Sequence, residues 1–295
     1  MTTNSSGAKP YDEEGLMLSV DTSTVSMTAA LSRGGRLLGE ITLSAERNHS
    51  LYVVPALQRL MEAEGVKPAD LSAFTAGVGP GSYTGTRIGV TVAKTFAWTH
   101  GLALLGVSTL EAMALGGLEE VLDPARPAVP ESTDQTAELN IVTDGDLGAL
   151  DRIVRRNEGG EPLTRWVVPL IDARRGQAFS GLYEASAAGW RCLIPDGIRL
   201  TAAWAEELLA LAGHHKPHQV VCTGDAHQHA QSFLAFREGF EGGWTETNFA
   251  FKARHVAELG RIRWQRGDTE DVYGLVPNYT QLAEAEANLL AAKRT

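Results

Sequence analysis

Between residues 16 and 115 the apolar positions come in short runs that switch between strand and helix period, and the order of switching limits the possible folds more than any other feature. Residues 16–20 are an apolar run, 25–31 mix β-branched and small side chains, and 36–43 continue after the turn Arg33-Gly34-Gly35. The short glycine link predicts a β-hairpin. Residues 50–64 then put Leu51, Val54, Leu57 and Met61 on one helical stripe, with Gly65 as the stop signal. There follow a strand at 74–78, a glycine-rich turn at 77–81, a helix capped by Ser82 or Thr84 and running towards His100, a strand at 102–107, and a helix capped by Ser108 that reaches towards Leu115. Three strands and then alternating helix and strand predict a mixed sheet with helices on its faces.

Beyond residue 116 the periodicity stops. Pro124, Pro127 and Pro130 crowd together, and Gly145, Gly148, Gly159 and Gly160 interrupt the rest, so 117–165 is expected to be a flexible insertion, with a short strand at 139–142 as the alternative. Regular structure returns with strands at 166–171 and 177–183 turning at Arg174-Arg175-Gly176. A helix capped by Thr201 (202–212), a strand at 219–222 and a helix at 255–266 ended by Gly267 complete it. Residues 1–15 have almost nothing to bury and are expected to be a flexible tail. The expected domains are therefore 16–116 and 166–295. Two α/β units of related style make an internal duplication plausible, although no residue-level repeat aligns.

The 295 residues carry 26 Lys+Arg against 36 Asp+Glu, a formal charge of −10. That balance argues against holding a nucleic-acid backbone by charge alone, so any contact with RNA is local or made by a partner. The two cysteines, Cys192 and Cys222, form no C-x-x-C pair, and no run reaches the roughly 18 apolar residues of a membrane helix. A protein of a reducing cytosol, with no membrane association and no export signal, is expected.

Asp21-Thr22-Ser23-Thr24 sits where the first strand turns into the second, a position that can offer N–H groups and hydroxyls to a phosphate and a carboxylate to a metal. A turn stabilised by its own side chains is the commoner explanation, and the glycine that lets backbone approach a phosphate is missing, so the loop supports at most a vestigial site. The run from Gly77 to Gly85 looks like a phosphate loop at a helix N-terminus, yet it lacks the Gly-Lys-Ser/Thr ending and places Thr84 where a dinucleotide fingerprint needs glycine, and tight helix–strand packing explains the glycines as well. Gly85, Gly89 and Ala93 make a stripe of small residues that would let another helix approach closely. With the Leu51–Met61 stripe it forms a candidate helical interface, the alternative being burial of both stripes inside the subunit. His214, His215, His218, His227 and His229 have no metal-ligand spacing, and no G-x-S-x-G elbow occurs.

Together, Leu18 to Thr24 (LSVDTST), Arg47-Asn48-His49-Ser50, Gly77 to Gly89 (GVGPGSYTGTRIG), Leu105 to Leu110 (LGVSTL), Ile171 to Gly176 (IDARRG) and Pro277-Asn278-Tyr279 with Ala283-Glu284-Ala285-Glu286 resemble the bacterial TsaB (YeaZ) family. The resemblance spans nearly the whole chain outside the tail and the 117–165 insertion. It implies an α/β fold of two ribonuclease-H-like domains of the actin-like ATPase (ASKHA) superfamily, mixed sheets flanked by helices. It also implies a part in making threonylcarbamoyladenosine at adenosine 37 of tRNAs reading ANN codons. In that pathway a TsaC-type enzyme makes threonylcarbamoyl-adenylate, TsaD transfers the group, TsaB binds TsaD, and TsaE is an ATPase acting on the assembly.

TsaD, a paralogue, is implied to hold its metal on a His-x-x-x-His helix after a Gly-Val-Asn segment. Gly106-Val107-Ser108 occupies that place here, and Thr109 and Met113 stand where the histidines would be. A hydroxyl and a thioether do not replace two imidazoles. The expectation is a noncatalytic subunit with no catalytic or metal residues and no required cofactor, weak ATP or ADP binding being all that remains of the loop Asp21, Thr22, Ser23, Thr24. It would dock on TsaD through the helices at 50–64 and 82–99, using Leu51, Val54, Leu57, Met61, Gly85, Gly89 and Ala93. The same surface could pair two copies, TsaE would join the larger complex, and tRNA would be met only through it. A small-molecule kinase of the same superfamily is the alternative, favoured by Asp21 and Gly224-Asp225 but lacking a glycine-rich first phosphate loop. A ribonuclease-H-like nuclease lacks converging acids, and a metalloprotease lacks the histidine pair.

Overall fold

The structure, a computed structural model, describes residues 9–44, 49–124, 141, 145–156 and 163–280. β1 (Leu16–Asp21), β2 (Ser26–Arg33) and β3 (Arg36–Ser44) form an antiparallel meander, the tight turn between β2 and β3 made by Gly34 at a φ of 54°. α1 (His49–Ala63) leads to β4 (Leu71–Gly77), which lies parallel to β1. α2 (Tyr83–His100) leads to β5 (Ala103–Val107), parallel to β4. Ser82, not Thr84, caps α2 by accepting from Gly85 N–H, and Ser108 caps α3 (Thr109–Leu122) by accepting from Glu111 N–H. Alternation along β1 explains why helices cover both faces: Leu18 and Val20 pack with Leu57 and Val90 of α1 and α2, while Met17 turns to the other side.

β6 (Gly145–Asp146) adds two residues beside β3, giving the order β5-β4-β1-β2-β3-β6, and α4 (Ala149–Arg156) follows it. The second sheet repeats the scheme. β7 (Arg165–Arg174), β8 (Gln177–Ser186) and β9 (Gly189–Leu200) make a meander, and α5 (Thr201–His215) leads to β10 (Gln219–Gly224), parallel to β7. α6 (Leu234–Gly239) precedes β11 (Gly243–Thr247), and α7 (Ala253–Arg266) ends at Gly267 with a φ of 77°. The order is β11-β10-β7-β8-β9, so the molecule consists of two mixed sheets of matching topology flanked by helices.

The helices that follow the last strand of each unit are exchanged. α3 packs on the second sheet, with Leu110, Ala114 and Leu118 against Val167, Tyr183 and Val221. α7 packs on the first, with Ala253, Ala257 and Trp264 against Met17, Ala73 and Ala103. Glycines permit both approaches at matching places. A Cβ on Gly117 of α3 would strike Thr223 of β10, and one on Gly260 of α7 would strike Thr75 of β4. The duplication that could not be aligned in the sequence is thus carried by contacts.

This exchange corrects the expected domain limits. The 116/117 boundary falls inside α3, and α7, expected within 166–295, completes the first sheet. The described parts of the 117–165 insertion are docked: β6 pairs with Arg36 and Leu37, and Glu258 Oε2 and Oε1 accept from the α4 N–H groups of Ala149 (2.9 Å) and Leu150 (2.8 Å). Of the alternative strand at 139–142, only Ile141 is within the described residues. Residues 9–15, expected in the tail, are held as well, because Tyr11 packs edge-on to Trp264 and Lys9 Nζ donates to Leu71 O. Residues 1–8 lie outside the described residues. Thr201 does not cap α5 either; its hydroxyl and N–H both donate to Gly176 O.

Candidate functional site

The turn after β1 and the glycine run after β4 interlock. Ser23 N–H donates to Asp21 Oδ1 (2.6 Å), Thr109 Oγ1 donates to Asp21 Oδ2 (2.6 Å), and Gly79 N–H donates to Thr109 Oγ1 (3.0 Å). Thr22 Oγ1 donates to Gly85 O (2.6 Å) and accepts from Gly89 N–H (3.0 Å), while Ser82 N–H donates to Ser23 O (2.7 Å). Asp21, Thr22 and Ser23 are buried, and Thr24 folds its hydroxyl onto Ser26 O (2.9 Å). Burial pushes the Asp21 carboxyl up to about 6, outweighing the hydrogen bonds from Thr109 and Ser23 that favour its charged form.

These contacts explain the glycines. A Cβ on Gly77 would enter the Asp21 carboxylate, on Gly81 the Ser23 carbonyl, on Gly85 the Thr22 carbonyl, and on Gly89 it would lie 2.6 Å from Thr22 Oγ1. The pattern resembling a phosphate loop is the complement of the 21–24 turn. Ala93 is likewise buried, in the core beneath α2. The Gly85, Gly89, Ala93 stripe therefore faces inward, which corrects its assignment to a partner surface.

The helical stripe on α1 divides. Leu57 and Met61 are core residues, whereas Leu51 is 64% and Val54 38% exposed. The outer side of α2 adds Tyr83 and Trp98, the latter 67% exposed. Residues 270–280 run along α2, with Lys94 Nζ donating to Tyr273 O (3.2 Å) and Leu275 O (2.9 Å) and Asn278 N–H donating to Val78 O (2.7 Å). At its end Arg87 Nε donates to Tyr279 OH (2.7 Å) and its guanidinium stacks over Tyr83. Sequence pattern missed Tyr83 and Trp98, because an aromatic on a helix reads as core until the packing is known, and Tyr273, which lies in a turn beyond α7. The outer face of α5, the counterpart of α1, instead presents Glu206, Glu207 and His214.

A cleft of about 670 Å³ opens between the sheets. Ser23, His49 and Ser82 line one side, Asp172 and Asp225 the other, with Met113 and Phe249 between them. Met113 is buried, and a Cβ on Gly224 would meet its sulfur. Burial lowers the His49 pKa, against a hydrogen bond to the Thr24 backbone that raises it. His229 is buried beside Asp172 at 3.3 Å, and His218 Nδ1 accepts from Thr164 N–H (3.0 Å).

A family model described as TsaD, tRNA N6-adenosine threonylcarbamoyltransferase, matches residues 36–130, which run from β3 through α3. The tRNA threonylcarbamoyladenosine biosynthesis protein TsaB of Bacillus subtilis is 30% identical over 281 residues, covering 94% of this chain and 99% of that protein. The protein of the same name from Escherichia coli is 36% identical over 100 residues, 34% of this chain and 43% of its own length. YeaZ from Pseudomonas aeruginosa superposes with a TM-score of 0.60 at 19% identity, covering 90% of this chain and 99% of that one, and so shares the fold. With a relative matched along almost its full length, the chain belongs to the TsaB family of tRNA threonylcarbamoyladenosine biosynthesis proteins.

Proposed function

We propose that this chain takes part in tRNA threonylcarbamoyladenosine synthesis as a noncatalytic subunit that binds TsaD and supports its transfer of the threonylcarbamoyl group to adenosine 37 of tRNAs reading ANN codons. The observation that carries the reading is the use made of positions 109 and 113. Thr109 spends its hydroxyl between Asp21 and Gly79, and Met113 is buried with its sulfur against Gly224. Neither is disposed to hold a divalent ion as an imidazole pair would. No nucleotide is required, and any ATP or ADP affinity is weak, a reading supported by the inward bonding of Asp21, Thr22 and Ser23.

Docking on TsaD uses the outer sides of α1 and α2. Support comes from the four large apolar side chains left exposed on these helices, Leu51, Val54, Tyr83 and Trp98, where α5 exposes none of that kind, since exposed apolar surface beyond the ordinary marks contact regions. Equivalent helices on TsaD would complete a pseudo-twofold four-helix contact; a second copy of this chain would compete for it, and TsaE would join the assembly. The protein works in the cytoplasm, and no helix among the described residues is long and apolar enough to cross a membrane.

The double variant L51E/V54E tests the contact. Both side chains are exposed, so its melting temperature should match the parent, while calorimetry should show TsaD affinity reduced on the order of tenfold or more and tRNA modification in the reconstituted system should fall with it. Unchanged affinity would remove this surface from the proposal, and turnover by the isolated chain would remove the noncatalytic role.

A further inference from the structure

The hairpin joining β7 to β8 turns through Arg174, Arg175 and Gly176, with φ angles of 66°, 54° and 71°. Left-handed backbone suits glycine or asparagine in such a turn, and an arginine there works against its own steric preference. A side chain kept where the backbone disfavours it points to what that side chain does.

The tip is firmly held. Asp172 Oδ1 accepts from Arg174 N–H (3.2 Å), and Gly176 O accepts from both the N–H (3.0 Å) and the hydroxyl (3.1 Å) of Thr201 at the start of α5. The side chains are not held: both arginines are exposed, and among the described residues neither guanidinium has a hydrogen-bond or ion-pair partner. Elsewhere Arg152, Arg191, Arg237 and Arg254 each pair with a carboxylate, and Arg33 and Arg59, unpartnered among the described residues, stand singly, so the adjacency of Arg174 and Arg175 is what sets them apart. The acids on this side of the cleft accept hydrogen bonds from their own surroundings, Asp225 from Asp172 N–H (2.8 Å) and Gln228 (3.2 Å), Asp172 from Arg174 N–H, with the His229 ring beside it.

Two adjacent, uncompensated guanidinium groups on a rigid tip are unusual in a chain of net charge −10. Their planar forks match phosphate oxygens, and adjacent groups can take neighbouring phosphates. We propose that Arg174 and Arg175 contact the phosphodiester backbone of the RNA that the assembly modifies, an inference that rests on the subunit reading above. Contacts to phosphate position the RNA and carry no sequence information. RNA is thus touched by this chain at one local site, and its overall acidity keeps the rest of its surface away.

The test uses the full chain with TsaD and a labelled tRNA transcript, titrated by anisotropy at several salt concentrations. R174N/R175N should bind RNA about five- to tenfold more weakly at low salt, and the slope of log affinity against log salt should shrink by about one to two. Its melting temperature should hold or rise, because asparagine accepts the left-handed turn. R174K/R175K, which keeps the charge but not the planar fork, should keep the salt slope while losing part of the affinity, and R175E serves if the asparagine pair fails to fold. Unchanged affinity and slope would overturn the proposal, as would displacement of RNA by inorganic phosphate at matched ionic strength, which marks a small-anion site. Calorimetry should show TsaD binding unaffected by the arginine variants. Failure of the parent to bind TsaD would sink the subunit reading alone, since the same titration without TsaD still measures this chain's contact.

Discussion

At the scale of single residues, Asp21 shows how a functional-looking position becomes structural. Its carboxylate is buried, receives Ser23 N–H and the Thr109 hydroxyl, and occupies the space Gly77 leaves open. Burial dominates and lifts its pKa from 3.8 to about 6, so the folded state holds the proton more tightly than the unfolded chain. The stabilisation this gives is complete below 3.8 and is lost as pH rises through 6, a change of about 3 kcal/mol for a shift of that size. Urea unfolding at pH 4 to 7 should therefore show D21N, which cannot ionise, losing less stability across that window than the parent. Parallel curves for the two proteins would mean that Asp21 is charged in the fold. Glu258, raised by burial to about 7, acts in the same direction and remains in both proteins, so the comparison isolates Asp21.

Among the elements, α7 depends most on partners distant in sequence. Its first N–H groups find no cap in their own segment, and the first sheet supplies one: Thr28 Oγ1 accepts from Ala253 N–H and Glu40 Oε1 from Arg254 N–H, both at 2.8 Å. Glu40 Oε2 also takes the Arg254 guanidinium at 2.6 Å, a pair buried on both sides. Removing one member of such a pair leaves the other charged and unpaired, so E40A should cost about 3–5 kcal/mol in denaturant unfolding. A loss under about 1 kcal/mol would show that water reaches Arg254 in the folded protein. The extent of α7 was readable from its period and from Gly267, but the docking was not, because Glu40 lies more than two hundred positions upstream.

For the whole molecule, the exchange of α3 and α7 makes each unit depend on the other. Without α7, the Met17, Ala30, Ala73 and Ala103 face of the first sheet would meet water. Residues 9–124 expressed alone should therefore lack the cooperative unfolding transition of the full chain, as followed by circular dichroism, and a sharp transition in that fragment would refute the dependence. The matched glycines give a companion expectation. G117V and G260V should each destabilise by about 1–3 kcal/mol through overpacking, the two values agreeing because Thr223 and Thr75 stand in equivalent places.

Strand and helix order, the cap at Ser108, the choice of Ser82 or Thr84 for α2 and the absence of histidines at 109 and 113 were all legible in local pattern, since periodicity, capping and side-chain chemistry act within a few residues, while the structure alone selected Ser82. Which face each stripe buried was decided by packing alone. Gly85, Gly89 and Ala93 read as a meeting place for a second helix, but the 21–24 turn, some sixty residues upstream, takes up Gly85 and Gly89, and the core beneath α2 takes up Ala93. The domain limits went the same way: a helix packs where apolar area is left uncovered, and for α3 and α7 that area lay on the other sheet.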